Sequence, residues 1–255
     1  MGTVFSIDVR SPGVDPAAIE DVVGWLHWVD ATFSTYQSGS QVSRVGRGEL
    51  AVADCVAEVG DILGRCERLR RHTSGYFSAY PHGTLDPSGV VKGWAIEQAS
   101  ERLRRAGSTN HCVNGGGDVQ CAGDAGPGRP WRVGIAHPLK VGDVAAVVVG
   151  SDLAVATSGV AERGRHVIDP HTGRSPDALT SLTLVGRHLS DVDAYATAAF
   201  AMGTGARAWV EQQPGVDGFG VSPDGQTWAT SGFRGGSVTA PGRPGVHPRR
   251  LITMI

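Results

Sequence analysis

The chain of 255 residues carries no excess of either charge, no long apolar run and no cysteine framework. A net charge of -2 gives no basic surface of the kind that binds nucleic acid. No apolar run approaches the roughly 20 residues that a membrane helix requires, so a transmembrane segment is not expected. The opening MGTVFSIDV alternates like a strand and lacks the basic start and apolar stretch of a signal peptide, which places the chain as written in the cytoplasm. Cys55, Cys66, Cys112 and Cys121 show no C-x-x-C spacing. They read as core thiols, with Cys55 and Cys66 three helical turns apart and able to share one buried face. There is no internal repeat and no regular βαβ alternation, which argues for α+β over a doubly wound sheet.

What is present suits a core rich in turns. Hydrophobic content is 40%, charged content only 19%, and there are 37 glycines. Apolar residues recur at three- and four-residue steps over 16–36, with Asp15 as N-cap and Pro16 at the first helical position. A second helix is expected over 54–72, and its basic end (Arg68, Arg70, Arg71, His72) suits the negative end of a helix dipole. A third follows Lys92 and stops at Gly107. Strands are expected at 118–122, 131–136, 145–150, 153–157, 165–168 and 181–185. A fourth helix spans 191–202 with Gly203 as its stop. A short helix over 206–212 and a hairpin over 218–230 follow. One domain is expected over 1–233, with a mobile Gly/Pro/Arg-rich tail over 234–255.

Four segments could carry chemistry. Asp193 and Thr197 stand four apart in the fourth helix and therefore share a face. Their oxygens are hard ligands, suited to Mg²⁺ rather than zinc. In Leu85-Asp86-Pro87-Ser88-Gly89-Val90-Val91-Lys92-Gly93, a tight turn and a lysine at a helix start make a local anion site, or else an ordinary loop with a solvated lysine. Asn114-Gly115-Gly116-Gly117-Asp118 precedes a strand. It is either a flexible turn or a cradle for a phosphate or flat ring, but it matches neither a Walker A nor a G-x-G-x-x-G pattern. His166-Val167-Ile168-Asp169-Pro170-His171-Thr172-Gly173 places His166 and Asp169 at the close of a strand. A histidine there is either structural or a general base. Tyr36, where the first helix gives way to a loop, could pack on its own domain or stack on a flavin or adenine ring.

Taken together, and in order, these pieces resemble the ApbE family of FAD:protein FMN transferases: MGT, STYQSGSQVSR, SGYF, LDPSGVVKGWAIEQASERL, VNGGGDVQCAG, WRVGIAHP, ATSG, HVIDPHTG and DVDAYATAAFAMG. The resemblance implies an ApbE-like, T-fold-related α+β architecture, with mixed sheets flanked by helices and an FAD site in a cleft between two lobes. It implies Mg²⁺ held by Asp193, Thr197 and the Gly89 carbonyl. It implies FAD contacts from Met1, Tyr36, Tyr76, Phe77, Ser78, Asp86, Lys92 and His166, with His166 as base and Lys92 acting on the phosphates. The implied reaction moves FMN from FAD to a threonine of an acceptor protein with an FMN-binding domain and releases AMP. The same site could instead hydrolyse FAD to FMN and AMP, and a non-catalytic FAD carrier is a third reading. Two positions depart from the family pattern: Ser78 stands where an Asp usually follows the Phe, and Gln41 replaces a common acidic residue.

Overall fold

Asp15 holds an extended backbone, and its carboxylate accepts the Ala17 N–H at 2.9 Å. With Pro16 at the first position, this starts the first helix where the sequence predicts it. The helix ends at Phe33, three residues early. Ser34 turns extended, and its hydroxyl accepts the N–H groups of Tyr36 and Gln37, each at 3.3 Å. A serine side chain that offers the backbone this alternative draws the chain out of the helix.

The computed structural model describes residues 3–81, 83–160, 164 and 166–237. Within it β1 (Phe5–Val9) is followed by helices α1 (Pro16–Phe33), α2 (Gln41–Gly46), α3 (Ala57–His72) and α4 (Ser88–Arg105). Strands β2 (His111–Gly115), β3 (Asp118–Ala122), β4 (Trp131–Ala136), β5 (Val144–Gly150), β6 (Ala154–Gly159) and β7 (Ser181–Gly186) come next. Then follow α5 (Leu189–Ala201), α6 (Ala206–Val210), β8 (Asp217–Val221), β9 (Thr227–Ala229) and β10 (Gly235–Ser237).

Seven strands form one sheet in the order β1-β2-β3-β6-β7-β8-β9, and β10-β5-β4 form a second. All the pairings between these strands are antiparallel. The larger sheet is buried on both faces. One face packs α4 and α5 into a core with Ile96, Leu103, Leu182, Leu184 and Phe200. The other meets the small sheet through Val119, Cys121, Val155 and Val221 against Trp131, Ile135 and Val148. β3 lies between the two cores, so alternate residues serve different layers. Each fully buried Leu or Phe here contributes about 1.5–3 kcal/mol.

Several expectations are corrected. Helix α3 begins at Ala57 because Val52–Asp54 forms a 3₁₀ turn, and Cys55 then turns extended. Cys55 therefore precedes the helix and shares no helical face with Cys66. Cys55 and Cys112 are only half-buried, unlike Cys66 and Cys121. Helix α4 begins at Ser88, so Lys92 sits a turn inside it and not at its start. Residues 166–168 form no strand; Arg165 lies outside the described residues. Asp169 instead opens a turn, and its carboxylate accepts the His171 N–H at 2.9 Å and the Thr172 hydroxyl at 3.0 Å. β10 pairs with β5, so regular structure continues past residue 233. The remaining tail, 238–255, lies outside the described residues.

Candidate active site

The first amides of α5 have no partner within their own helix, and the side chains of buried Gln120 and half-buried Glu97 supply one. Gln120 of β3 accepts the Leu189 N–H at 3.0 Å, and Glu97 of α4 accepts the Ser190 N–H at 2.8 Å. Glu97 also accepts from the Ser190 hydroxyl and faces His188 Nδ1 at 2.8 Å. A carboxylate at this end also complements the helix dipole. Helix α5 is thereby pinned to both α4 and β3, and its register determines what Asp193 and Thr197 face.

Asp193 faces inward. The Gly93 N–H donates to its Oδ2 at 2.8 Å, and Lys92 Nζ lies 3.6 Å from its Oδ1. The same ammonium is 2.5 Å from Asp118 Oδ2, and Asp118 Oδ1 accepts the Thr157 N–H at 3.0 Å. The Asp118 and Asp193 side chains are only 1% and 5% exposed. One lysine thus stands between two buried carboxylates from different elements. Burial pushes the Asp193 carboxyl up to about 7; Lys92 and the Gly93 amide oppose that rise, and Asp118 adds to it. With both carboxylates ionised the group carries one net negative charge. It therefore suits a further cation better than a free anion.

One turn further along α5, half-buried Thr197 meets the first turn of α4. A Cβ on Gly89 would lie 3.6 Å from the Thr197 methyl and 3.1 Å from the Phe77 ring. Phe77 is buried beneath Gly89 at 1% exposure, so its ring serves packing. Gly93, the i+4 residue to Gly89 in α4, directs its N–H to the Asp193 carboxylate at 2.8 Å. Asp86 accepts the Ser88 N–H at 3.0 Å, and Ser78 accepts the Tyr80 N–H at 3.0 Å, so both shape the turns entering α4. The amide of Ser88 is already taken, which weakens the reading of this helix start as an anion site. Tyr76 sets its ring edge-on to His171, with centroids 4.5 Å apart.

Of the residues expected from sequence, Gly89, Lys92, Asp193 and Thr197 converge, with Phe77 beneath them. Others stand apart. Tyr36 is 92% exposed in the α1–α2 loop. His166 is exposed, with Nδ1 3.1 Å from the Gly164 carbonyl. Met1 lies outside the described residues. The glycine run 115–117 is no free cradle. Gly116 (φ 58) and Gly117 (φ 88) make a two-residue hairpin turn between β2 and β3, and a Cβ on Gly115 would lie 2.5 Å from the Phe5 ring. Gln41, at the departure from the family pattern, accepts the Val56 N–H at 2.9 Å.

The local pattern gave Asp118 and His171 no role of their own, whereas Gly93, like Gly89, read as a point of close backbone approach. A glycine inside a helical stripe costs about 1 kcal/mol against alanine, so Gly93 carried a signal of close packing. Asp118 carried none, since an acidic residue after a glycine turn reads as a solvated strand start.

A carboxylate, a hydroxyl and a backbone carbonyl form a hard-oxygen set of the kind that fits Mg²⁺. Among the described residues there is no cluster of three or more His, Cys, Asp or Glu arranged to hold a metal.

The model of the ApbE family matches residues 78–219. The chain is 31% identical over 235 residues to the FAD:protein FMN transferase of Rhodobacter capsulatus, covering 88% of this chain and 42% of that protein. It is 30% identical over 136 residues to that of Haemophilus influenzae, covering 49% of this chain and 39% of that protein. The chain thus spans less than half the length of these relatives. Among solved structures, the ApbE protein of Thermotoga maritima superposes with a TM-score of 0.81 at 22% identity, over 90% of this chain and 94% of that one. The flavin transferase ApbE of Vibrio cholerae superposes with a TM-score of 0.75 at 21% identity, over 91% and 94%. At such identities the likeness establishes the fold alone, and the fold is the one expected.

Proposed function

The chain belongs to the ApbE family, and on that premise we propose that it transfers FMN from FAD to a threonine of an acceptor protein, releasing AMP. The observation that carries the reading is the convergence of Asp193, Thr197, Gly89 and Lys92 from α5 and α4 at one point. Phosphoryl transfer asks a protein mainly for positioning and charge. In the proposed step the acceptor hydroxyl oxygen bonds to the FMN-side phosphorus, the pyrophosphate bridge breaks, and AMP leaves with the bridging oxygen.

Asp193, Thr197 and the Gly89 carbonyl would hold Mg²⁺. Bound there, the ion would supply positive charge to the pyrophosphate. Gly93 fixes the Asp193 carboxylate from below through its N–H. Asp118 holds the Lys92 ammonium beside Asp193, so the lysine charge reaches the phosphates from a fixed place. The half-buried Thr197 and Gly89 form the outer edge of the site, and the buried ion group forms its floor. Asp86 and Ser78 hold the turns that would line the FAD. His166 would take the proton of the acceptor hydroxyl, and its exposed position suits a group that meets an incoming protein.

The test is mass spectrometry of an FMN-binding acceptor domain incubated with this protein, FAD and Mg²⁺. A gain of one FMN on the acceptor is expected, and Asp193→Ala abolishes it without rescue by excess Mg²⁺. FMN and AMP free in solution identify a hydrolase, and unaltered FAD identifies a carrier; either refutes the transferase. Full activity in Asp193→Ala removes the metal assignment.

A further inference from the structure

Cys112 of β2 and Cys121 of β3 face each other in the hairpin register, with their sulfurs 3.5 Å apart. Counting from the closing pair Gly115–Asp118, hydrogen-bonded and non-hydrogen-bonded pairs alternate, and Cys112–Cys121 is of the second kind. The Gly116 N–H that donates to Val4 on the β1 side gives the same phase. Non-hydrogen-bonded pairs bring opposed Cα atoms to about 4.5 Å, within the range a disulfide spans. Both thiols are free. No sulfur contact joins Cys55 or Cys66 to another cysteine among the described residues.

The two thiols differ in access. Cys121 is fully buried in the core between the sheets, and Cys112 is half-buried at the edge of that core. Contact with the Cys112 sulfur, reinforced by burial, pushes the Cys121 thiol far above the ordinary range. The first encounter with a reagent therefore falls to Cys112. Both side chains leave β3 and β2 on the face opposite Asp118 and Gln120, away from the candidate active site.

We propose that Cys112 and Cys121 are a dithiol–disulfide pair, oxidised by small disulfides to a cross-strand bond that ties the hairpin presenting Asp118. The Cys112 thiolate attacks the oxidant's sulfur and expels one thiolate, leaving a mixed disulfide. Cys121 then gives up its proton and attacks the Cys112 sulfur, expelling the second thiolate. Two protein thiols are oxidised, one disulfide oxidant is reduced to two thiols, and the bond lies three residues from Asp118.

The test uses the full chain and oxidised glutathione, followed by alkylation, digestion and mass spectrometry without reductant. Of the four thiols, two become unreactive. The intact mass falls by about 2 Da, the loss of two thiol hydrogens on forming one bond. The peptides holding Cys112 and Cys121 are recovered as one linked species, and dithiothreitol reverses the change. In Cys121→Ala the reaction stops at one glutathione adduct, on Cys112. Four alkylatable thiols after treatment, a lasting glutathione adduct on the wild-type chain, or a bond through Cys55 or Cys66 overturns the proposal. If Cys121→Ala does not fold, the wild-type peptide map decides alone.

Discussion

Gly93→Ala should destabilise the protein, although alanine is the better helix former. Inside α4 the exchange gains about 1 kcal/mol of intrinsic helix propensity. At this site the new methyl would lie 2.6 Å from the Leu189 carbonyl oxygen and 2.7 Å from the Asp193 Cβ. Both belong to α5, whose start is pinned by Gln120 and Glu97, so the helix has little freedom to yield. Overpacking of this kind costs about 1–3 kcal/mol. Separating the helices also stretches the 2.8 Å bond from the Gly93 amide to Asp193, and leaving that buried donor unsatisfied costs about 1–3 kcal/mol. The two losses overlap, because the shift that relieves the clash breaks the bond. The net cost is about 2–4 kcal/mol, a fall in Tm of about 5–15 °C for a chain of this size. The control is Gly24→Ala, on the exposed face of α1 with nothing within 4 Å of the new Cβ. It should gain about 0.5–1 kcal/mol. Thermal unfolding followed by circular dichroism reads both. A Gly93→Ala protein as stable as wild type would falsify the packing of α4 on Asp193.

Three further outcomes are expected. Because Asp193 keeps its proton up to about 7, a cation must displace it. Apparent Mg²⁺ affinity should fall by up to about tenfold per pH unit below 7 and level off above 8, with proton release on binding. Calorimetry in buffers of different ionisation enthalpy measures this, and affinity that rises on acidification would refute it. His111 lies buried between Ser100 at 2.8 Å and Ser108 at 3.0 Å, and burial pushes it down to about 4. The unfolded chain takes up that proton near 6.5 while the folded chain refuses it, so stability falls as pH drops from 6.5 towards 4, by about 2–3 kcal/mol. Urea titrations across that window should lose the slope in His111→Gln, and an unchanged slope assigns it elsewhere. In His166→Ala, FAD binding by fluorescence should persist while turnover falls at least about 100-fold, the usual contribution of a general base. Unchanged turnover removes His166 from the chemistry.

Much of the chain was legible in order. The apolar stripe of α1, its Asp15 cap, the strands 118–122 and 131–136 and the D-x-x-x-T helix all stand where periodicity and caps placed them, because each depends on residues close in sequence. Short elements were harder. Helix α2 depends on Ser40, whose hydroxyl accepts the Ser43 N–H at 3.0 Å, within a segment read as loop. β2 holds His111 and Asn114 and has only five residues to show a pattern. Over 166–168 the apolar pair Val167-Ile168 suggested a strand, but Asp169 turns the chain instead.

The sequence by itself determined the class of the protein, the order of its elements and the pairing of Asp193 with Thr197. An i, i+4 relation is built into any α-helix and needs no tertiary contact. Only the tertiary structure decided what that pair faces. Lys92, Gly93, Asp118 and Asp193 meet because α5 is pinned across α4 and β3, and no local pattern records which strand delivers Asp118. The same holds for Cys112 and Cys121. Their positions announced two separate thiols, and the hairpin register set them 3.5 Å apart, because a two-residue turn between short strands dictates which side chains stand opposite one another.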